Sequence, residues 1–156
     1  MTDVDRLVSL IGQASDSADV KAWLAELKAT APHLKEGDVQ AWVAARSAGL
    51  DLVFTDEAHR SKRNDLAVGE GALILDAIMF MSSQVPDYAE YQGPLPNGVV
   101  FGEPPARVHQ KLGTPERLHD RMPKEFWTFR GLQLTITYDK PKTKVRSVSL
   151  ATPLQQ

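Results

Sequence analysis

One short pattern occurs twice in this chain of 156 residues. The tetrapeptides GLDL at residues 49–52 and GLQL at residues 131–134 each place a glycine before leucines that alternate with polar residues. Such alternation predicts a half-buried β-strand, and the glycine predicts a turn before it. Trp42 precedes the first copy and Trp127 the second, and a helical segment precedes each tryptophan. A duplicated unit explains the match, and a chance similarity of two alternating segments is the alternative.

The spacing of the apolar residues predicts the elements around these two copies. Helices are predicted over residues 4–11, 16–28 and 103–112. Strands are predicted over residues 39–46, 50–56, 126–130, 132–139 and 145–151. Residues 72–81 are read as a buried strand, with a helix as the alternative. Asp16 is the expected N-cap of the second helix.

These elements predict an α+β fold of two tandem repeats, each a helix followed by an antiparallel meander. Residues 1–92 form the first repeat, with an extra leading helix and an inserted loop at 57–71, and residues 93–156 form the second. A three-stranded sheet with one buried face is marginal alone, so we expect the repeats to share one core in one compact unit. The stretch YQGPLPNG at residues 91–98 reads as the joint between them.

The period-two pattern assigns side chains to two faces of the predicted sheet. The predicted core comprises Trp42, Leu52, Phe54, Trp127, Leu134 and Ile136. The opposite face comprises Asp51, Gln133, Thr135, Thr137, Ser147 and Ser149. That face is either simply hydrated or a docking surface.

The composition of the chain excludes several classes of chemistry and of partner. There is no cysteine, which excludes disulfides and thiol chemistry, and the net charge of −2 argues against nucleic acid as the main partner. The longest apolar run, at residues 72–81, is too short to span a membrane, and the acidic N-terminus does not resemble a secretory leader. We therefore expect a cytoplasmic protein with neither a membrane nor a nucleic acid as its partner.

No motif predicts catalysis. Residues 56–59 spell DEAH, as in helicases, but the chain has no Gly-Lys pair for a phosphate-binding loop. His33, His59, His109 and His119 lack partners at the spacings of metal ligands, and there is no Gly-x-Ser-x-Gly elbow. The expectation is a protein that is not an enzyme and uses no metal or cofactor.

The second half carries a recognisable pattern: Gly102, Val108 followed by Leu112 and Gly113, then Trp127 and the GLQL strand. With Pro115 it resembles the helix-and-meander unit of the β-lactamase-inhibitor-protein-like fold, which small outer-membrane assembly lipoproteins also use. With the N-terminal copy and the GPLP-x-G joint, the whole chain resembles bacterial immunity proteins encoded beside secreted antibacterial toxins. The resemblance implies a protein that neutralises a cognate toxin by occluding its active site stoichiometrically.

Residues 87–91, DYAEY, supply tyrosines, which are favoured in interfaces, and carboxylates, which suit a basic partner. Tyr88 is read either as an interface residue or as packing, and Tyr91 as packing of the joint. The predicted partner-binding residues are Asp51, Glu57, Asp87, Tyr88, Glu90, Gln133 and Thr135. The alternative functions are a structural or adaptor domain of envelope or secretion machinery, and a small ligand-binding protein or enzyme with a pocket between the repeats.

Overall fold

A computed structural model describes residues 4–61 and 67–153 of the chain. Its helices are α1 (Val4–Leu10), α2 (Ala18–Glu26), α3 (Glu57–Ser61) and α4 (Pro105–Leu112). Its strands are β1 (Gln40–Ala45), β2 (Leu50–Asp56), β3 (Leu73–Met81), β4 (Arg117–Leu118), β5 (Lys124–Phe129), β6 (Leu132–Tyr138) and β7 (Val145–Ala151). All three predicted helices and all six predicted strands are present, and residues 72–81 contain a strand rather than a helix.

The seven strands form one sheet in the order β1-β2-β3-β7-β6-β5-β4. Every neighbouring pair is antiparallel. Strands β1 to β3 follow one another as a meander, as do β5 to β7, and the two meanders join where β3 pairs with β7. At that junction Ile78 lies opposite Leu150. The protein therefore has the predicted α+β class, with a single antiparallel sheet.

Helices α1, α2 and α4 pack on one face of this sheet, and one apolar cluster extends beneath both meanders. Leu52, Phe54, Leu134 and Ile136 are fully buried in it, and Trp127 is 5% exposed, so five of the six predicted core residues are confirmed. The helices contribute Leu7, Leu10, Val20, Trp23, Leu24 and Val108 to the same cluster. Burial of apolar side chains at about 25 cal/mol per Å² is the main stabilising contribution to such a sheet.

The prediction that Trp42 lies in the core is wrong, because its side chain is 58% exposed. Residues of β1 alternate between exposed and buried, and Trp42 lies opposite Val53 on the outward face of β2. Its neighbour Val43, which is 5% exposed, faces Leu52 in the core instead. Because side chains alternate with a period of two, a difference of one residue in register reverses the face of every residue in a strand.

Two local predictions also differ from the structure. Helix α2 is capped by Ser17 rather than Asp16, since the Ser17 hydroxyl accepts a hydrogen bond from the backbone N–H of Val20 at 3.2 Å. The region predicted as an inserted loop begins with α3, because the buried Asp56 carboxylate accepts from the N–H of His59 at 3.2 Å and caps the helix. Residues 62–66 of that predicted loop lie outside the described residues.

The joint between the two meanders is packed against the sheet. The ring of Tyr91 lies 4.8 Å from that of Phe80, so the predicted packing role of Tyr91 is confirmed. Leu95 and Val99 are buried in the core cluster. Among residues 4–61 and 67–153, no helix combines the length and apolar character required to cross a membrane.

Candidate functional site

The face of the sheet opposite the core presents a continuous surface, which we call the open face. Outward residues line up across the strands because each lies opposite the next in the hydrogen-bonded register. One row crosses all seven strands: Ala44, Asp51, Met79, Ser149, Thr135, Phe126 and Arg117. The adjacent row crosses six strands: Trp42, Val53, Ala77, Ala151, Gln133 and Thr128.

The size of the open face is that of a protein-binding surface. Strands spaced about 4.8 Å apart, each six to seven residues long in β1, β2, β5, β6 and β7, cover roughly 30 Å by 20 Å. This is about 600 Å² in projection, against about 800 Å² that each partner buries in a standard protein–protein interface. A drug-sized ligand would occupy only a fraction of it.

Three depressions give the open face its shape. One of about 360 Å³ lies beside α3, where the Arg60 guanidinium contacts the Asp76 carboxylate at 2.6 Å. A second, of about 420 Å³, lies in the middle between Met79 and Phe126. A third, of about 300 Å³, lies by Arg117 at the opposite side. Each combines apolar and polar side chains, as interface surfaces do.

Three of the predicted partner-binding residues lie on this face. Thr135, which is 8% exposed, lies at its centre between Ser149 and Phe126. Gln133 lies on the same side of β6, and its amide oxygen accepts a hydrogen bond from Arg117 at 3.5 Å. Asp51 is three strand spacings from Thr135, or about 14 Å.

Tyr88 contacts the margin of the open face near Asp51. Its hydroxyl donates a hydrogen bond to the Asp51 carboxylate at 2.7 Å, and the Arg46 guanidinium lies 5.9 Å from its ring centroid. Burial, together with the hydrogen bond to Asp51, raises the pKa of Tyr88 above its ordinary value. Tyr88 therefore keeps its proton and orients Asp51, so its half-buried side chain both packs and borders the face.

The remaining predicted residues do not gather at one place. Asp87 and Glu90 are exposed in the loop that carries Tyr88, and the Glu90 carboxylate accepts from the N–H of Ser83 at 3.3 Å. Glu57 lies beyond the far end of β2, roughly 20 Å along the strand from Asp51. Its carboxylate accepts from the N–H of Ala72 at 3.3 Å and anchors the start of β3.

The sequence pattern does not indicate a group of basic residues that the structure places on the β5–β7 side of the sheet. Arg121, Lys124, Lys140 and Arg146 line the middle depression and a neighbouring one of about 650 Å³. The two depressions are adjacent, since Met122, Thr137 and Arg146 line both, and we call the pair the basic trough. Lys124 lies on β5 and Arg146 on β7, whereas Arg121 precedes β5 and Lys140 follows β6. No basic run marks these cations, and only the arrangement of the strands brings them together.

On the covered side of the sheet, Glu125 is the centre of a polar cluster. Its side chain is only 3% exposed, and it accepts a hydrogen bond from the Tyr138 hydroxyl at 2.5 Å. His109 Nε2 of α4 lies 2.9 and 3.0 Å from its two carboxylate oxygens, and Lys142 Nζ lies 3.4 Å from one of them. Both oxygens are thereby engaged within the chain, which fastens α4 to the sheet.

Burial and hydrogen bonding have opposite effects on the pKa of Glu125. Burial alone would raise the pKa of Glu125, but the hydrogen bonds from Tyr138 and His109 and the charge of Lys142 outweigh it and leave the pKa lowered. Burial and the bond to Glu125 raise the pKa of Tyr138 far above its ordinary value. Within the described part of the chain, no three His, Asp or Glu side chains converge as metal ligands.

Comparisons of this chain with protein-family models, with curated proteins and with solved structures gave no significant match.

Proposed function

We propose that this chain is an immunity protein that binds a cognate antibacterial toxin in the cytosol and neutralises it by occluding its active site in a stoichiometric complex. The observation that carries the proposal is the open face: a continuous, contoured surface across seven strands, with its centre at Thr135. The pattern around Gly102, Val108 and Trp127 resembles inhibitor-type folds, and it supports the same function.

The sheet order supports descent of this fold from two tandem helix-and-meander repeats that share one core. Leu52 of the first GLxL strand pairs with Ile78, and Leu134 of the second pairs with Leu150. These corresponding residues, Ile78 and Leu150, pair with each other at the β3–β7 junction. A two-fold relation between two similar units places corresponding residues opposite each other in this way.

A preformed sheet face is suited to inhibition. Its five inner strands are held by backbone hydrogen bonds on both sides, so little conformational entropy is lost when a partner docks. The exposed Trp42 offers a large, rigid apolar side chain at one side of the face, and tryptophan is a frequent energetic anchor in interfaces. Asp51 and Gln133 supply polar contacts between this anchor and the opposite side.

Co-expression with the product of the adjacent gene tests the function. We expect that product to kill cells alone, to be harmless in the presence of this chain, and to co-purify with it in a one-to-one complex. The proposal is wrong if the product is harmless by itself, or if it is equally lethal with and without this chain.

A matched pair of substitutions tests the surface. Ser149→Tyr adds a large side chain at the centre of the open face, whereas Ser9→Tyr adds the same side chain on the exposed side of α1, where the hydroxyl contacts only its own helix. We expect Ser149→Tyr to abolish protection against the toxin and Ser9→Tyr to preserve it, with both variants folded by circular dichroism. Full protection by Ser149→Tyr places the interface elsewhere.

A further inference from the structure

The basic trough holds four cations without partners of their own. Among the residues that the structure describes, the side chains of Arg121, Lys124, Lys140 and Arg146 take part in no hydrogen bond or ion pair, whereas other cations such as Arg60 do. They line two adjacent depressions of about 420 and 650 Å³. Four unneutralised positive charges in one trough make a strongly positive local potential.

The acidic residues near the trough, Asp139 and Asp120, reduce this potential but do not cancel the four positive charges. Asp139 lines the trough, but the carboxylate accepts hydrogen bonds from the backbone N–H of Thr143 at 2.7 Å and of Lys144 at 3.1 Å, and so belongs to the β6–β7 turn. These bonds lower the pKa of Asp139, led by that from the Thr143 backbone. Asp120 is exposed beside Arg121. The chain as a whole carries a net charge of −2, so the trough is positive against an overall negative protein.

The lining of the trough is apolar as well as basic. Met79, Met81, Val85 and Met122 contribute side chains, and Met122 is 49% exposed. Methionine is flexible and polarizable, and it adapts to irregular apolar side chains of a partner. Thr135 and Thr137 also line this depression.

We propose that the basic trough binds an acidic segment of the partner protein, with carboxylates against Arg146 and its neighbouring cations and an apolar side chain against Met122. This inference rests on the proposed function and specifies the chemistry of the partner. It reverses the expectation from residues 87–91, whose carboxylates suited a basic partner, because those carboxylates lie at the margin and the cations lie in the trough.

A protein segment fits the trough better than a nucleic acid does. Single-stranded nucleic acids are bound by basic grooves whose aromatic rings stack on the bases. Two aromatic residues line the trough: Phe126 already has the Arg117 guanidinium over it at 4.2 Å, and Tyr138 is 1% exposed with its hydroxyl bonded to Glu125. Four cations neutralise at most about four phosphates, fewer than the roughly six to ten contacts of a protein whose duplex binding depends strongly on salt.

Charge reversal in the complete complex tests the inference. The variant Lys124→Glu with Arg146→Glu changes the trough, and the control Lys21→Glu with Arg107→Glu makes the same change of net charge on exposed positions of α2 and α4. Affinity for the adjacent gene product is measured by calorimetry at about 50 mM and about 300 mM salt. We expect the trough variant to bind roughly a hundredfold more weakly at low salt, and the control to change affinity less than about twofold.

Milder variants and a second probe make the result decisive. Lys124→Gln with Arg146→Gln, which leaves the strands uncharged rather than repulsive, is expected to weaken binding about tenfold and to reduce its salt dependence. Equal affinity of all variants overturns the acidic-segment inference, while loss of binding by Ser149→Tyr in the same assay leaves the proposed function standing. Absence of any complex with the unaltered chain overturns both. Tight binding of a labelled single-stranded oligonucleotide, lost on charge reversal, overturns the inference in favour of nucleic acid.

Discussion

The two meanders use the same GLxL strand but place their tryptophans on opposite faces of the sheet. Trp127 is 5% exposed and donates a hydrogen bond from Nε1 to the carbonyl oxygen of Gly113 at 3.2 Å. Trp42 is 58% exposed on the open face. A residue that stabilises the core in one half is therefore available to a partner in the other.

The difference comes from register. In the first meander Ala45 lies opposite Leu50, and Trp42 precedes Ala45 by three residues. In the second meander Phe129 lies opposite Leu132, and Trp127 precedes Phe129 by two residues. An odd and an even separation give opposite faces. The turns differ as well. Residues 130 and 131 both have positive φ, as a two-residue hairpin turn requires, whereas Arg46–Ala48 form a 3₁₀ turn closed by Gly49.

The largest expected difference between the two meanders is the loss in the free energy of unfolding when each tryptophan is truncated. Trp127→Ala removes a buried side chain and leaves a cavity, so we expect the free energy of unfolding to fall by about 3–5 kcal/mol. Trp42→Ala acts at an exposed position and is expected to cost less than about 1 kcal/mol. Urea unfolding of both variants measures the two values, and similar losses would contradict the assignment of opposite faces. Under the proposed function, Trp42→Ala is also expected to weaken the complex with the product of the adjacent gene.

The two glycines of the GLxL pattern give the next contrast. A Cβ at Gly49 would lie 2.4 Å from the backbone nitrogen of Tyr91, and its φ is +73°. At Gly131, with φ +80°, a Cβ would meet no atom within 4 Å. We expect Gly131→Ala to cost about 1–2 kcal/mol from the left-handed conformation alone, and Gly49→Ala to cost more because the joint must also move. Equal melting temperatures of the two variants would show that the joint does not pack closely on the β1–β2 turn.

Each half also has one tyrosine that donates to a carboxylate, and the two bonds differ in burial. Tyr138→Phe removes a hydrogen bond from the buried Glu125, so we expect a loss of about 1–3 kcal/mol. Tyr88→Phe removes the bond to Asp51, which solvent can replace in part, and we expect about 0.5–1.5 kcal/mol. Chemical denaturation at neutral pH compares them, and a larger loss for Tyr88→Phe is the outcome that would reverse the ranking.

The smallest expected effect is the pH dependence that Glu125 contributes. Its pKa in the folded protein is lower than the ordinary value of 4.5, so the ionised form is favoured by folding. That stabilisation is complete above pH 4.5 and is lost as the pH falls through the lower folded value. In Tyr138→Phe, the stability measured between neutral and strongly acidic pH is expected to fall less than in the unaltered chain. An unchanged slope would assign the acid sensitivity to other carboxyl groups.

Much of the fold could be predicted from the sequence, because strands such as β2 and β7 combine clear alternation with turn residues at both ends. The face of the sheet on which Trp42 lies could not be predicted, because it depends on the length of the turn between β1 and β2, which the strand pattern does not show. Glu125 was missed because a charged residue in an alternating strand reads as exposed, and its partners Tyr138 and His109 come from other elements. The basic trough likewise assembles only when β5, β6 and β7 are placed side by side.

The β3–β7 junction also determines the order in which the sheet can assemble. The β1–β2, β5–β6 and β6–β7 hairpins close over a few residues and the β2–β3 connection over residues 57–72, whereas Ile78 and Leu150 are separated by most of the second half of the chain. Closing a loop of about seventy residues costs roughly 2.5 kcal/mol more entropy than closing one of about four. We therefore expect the short hairpins to form first and the pairing of β3 with β7 to be the slow step of folding. Folding rates should accordingly be more sensitive to the length of the joint than to the length of either hairpin turn.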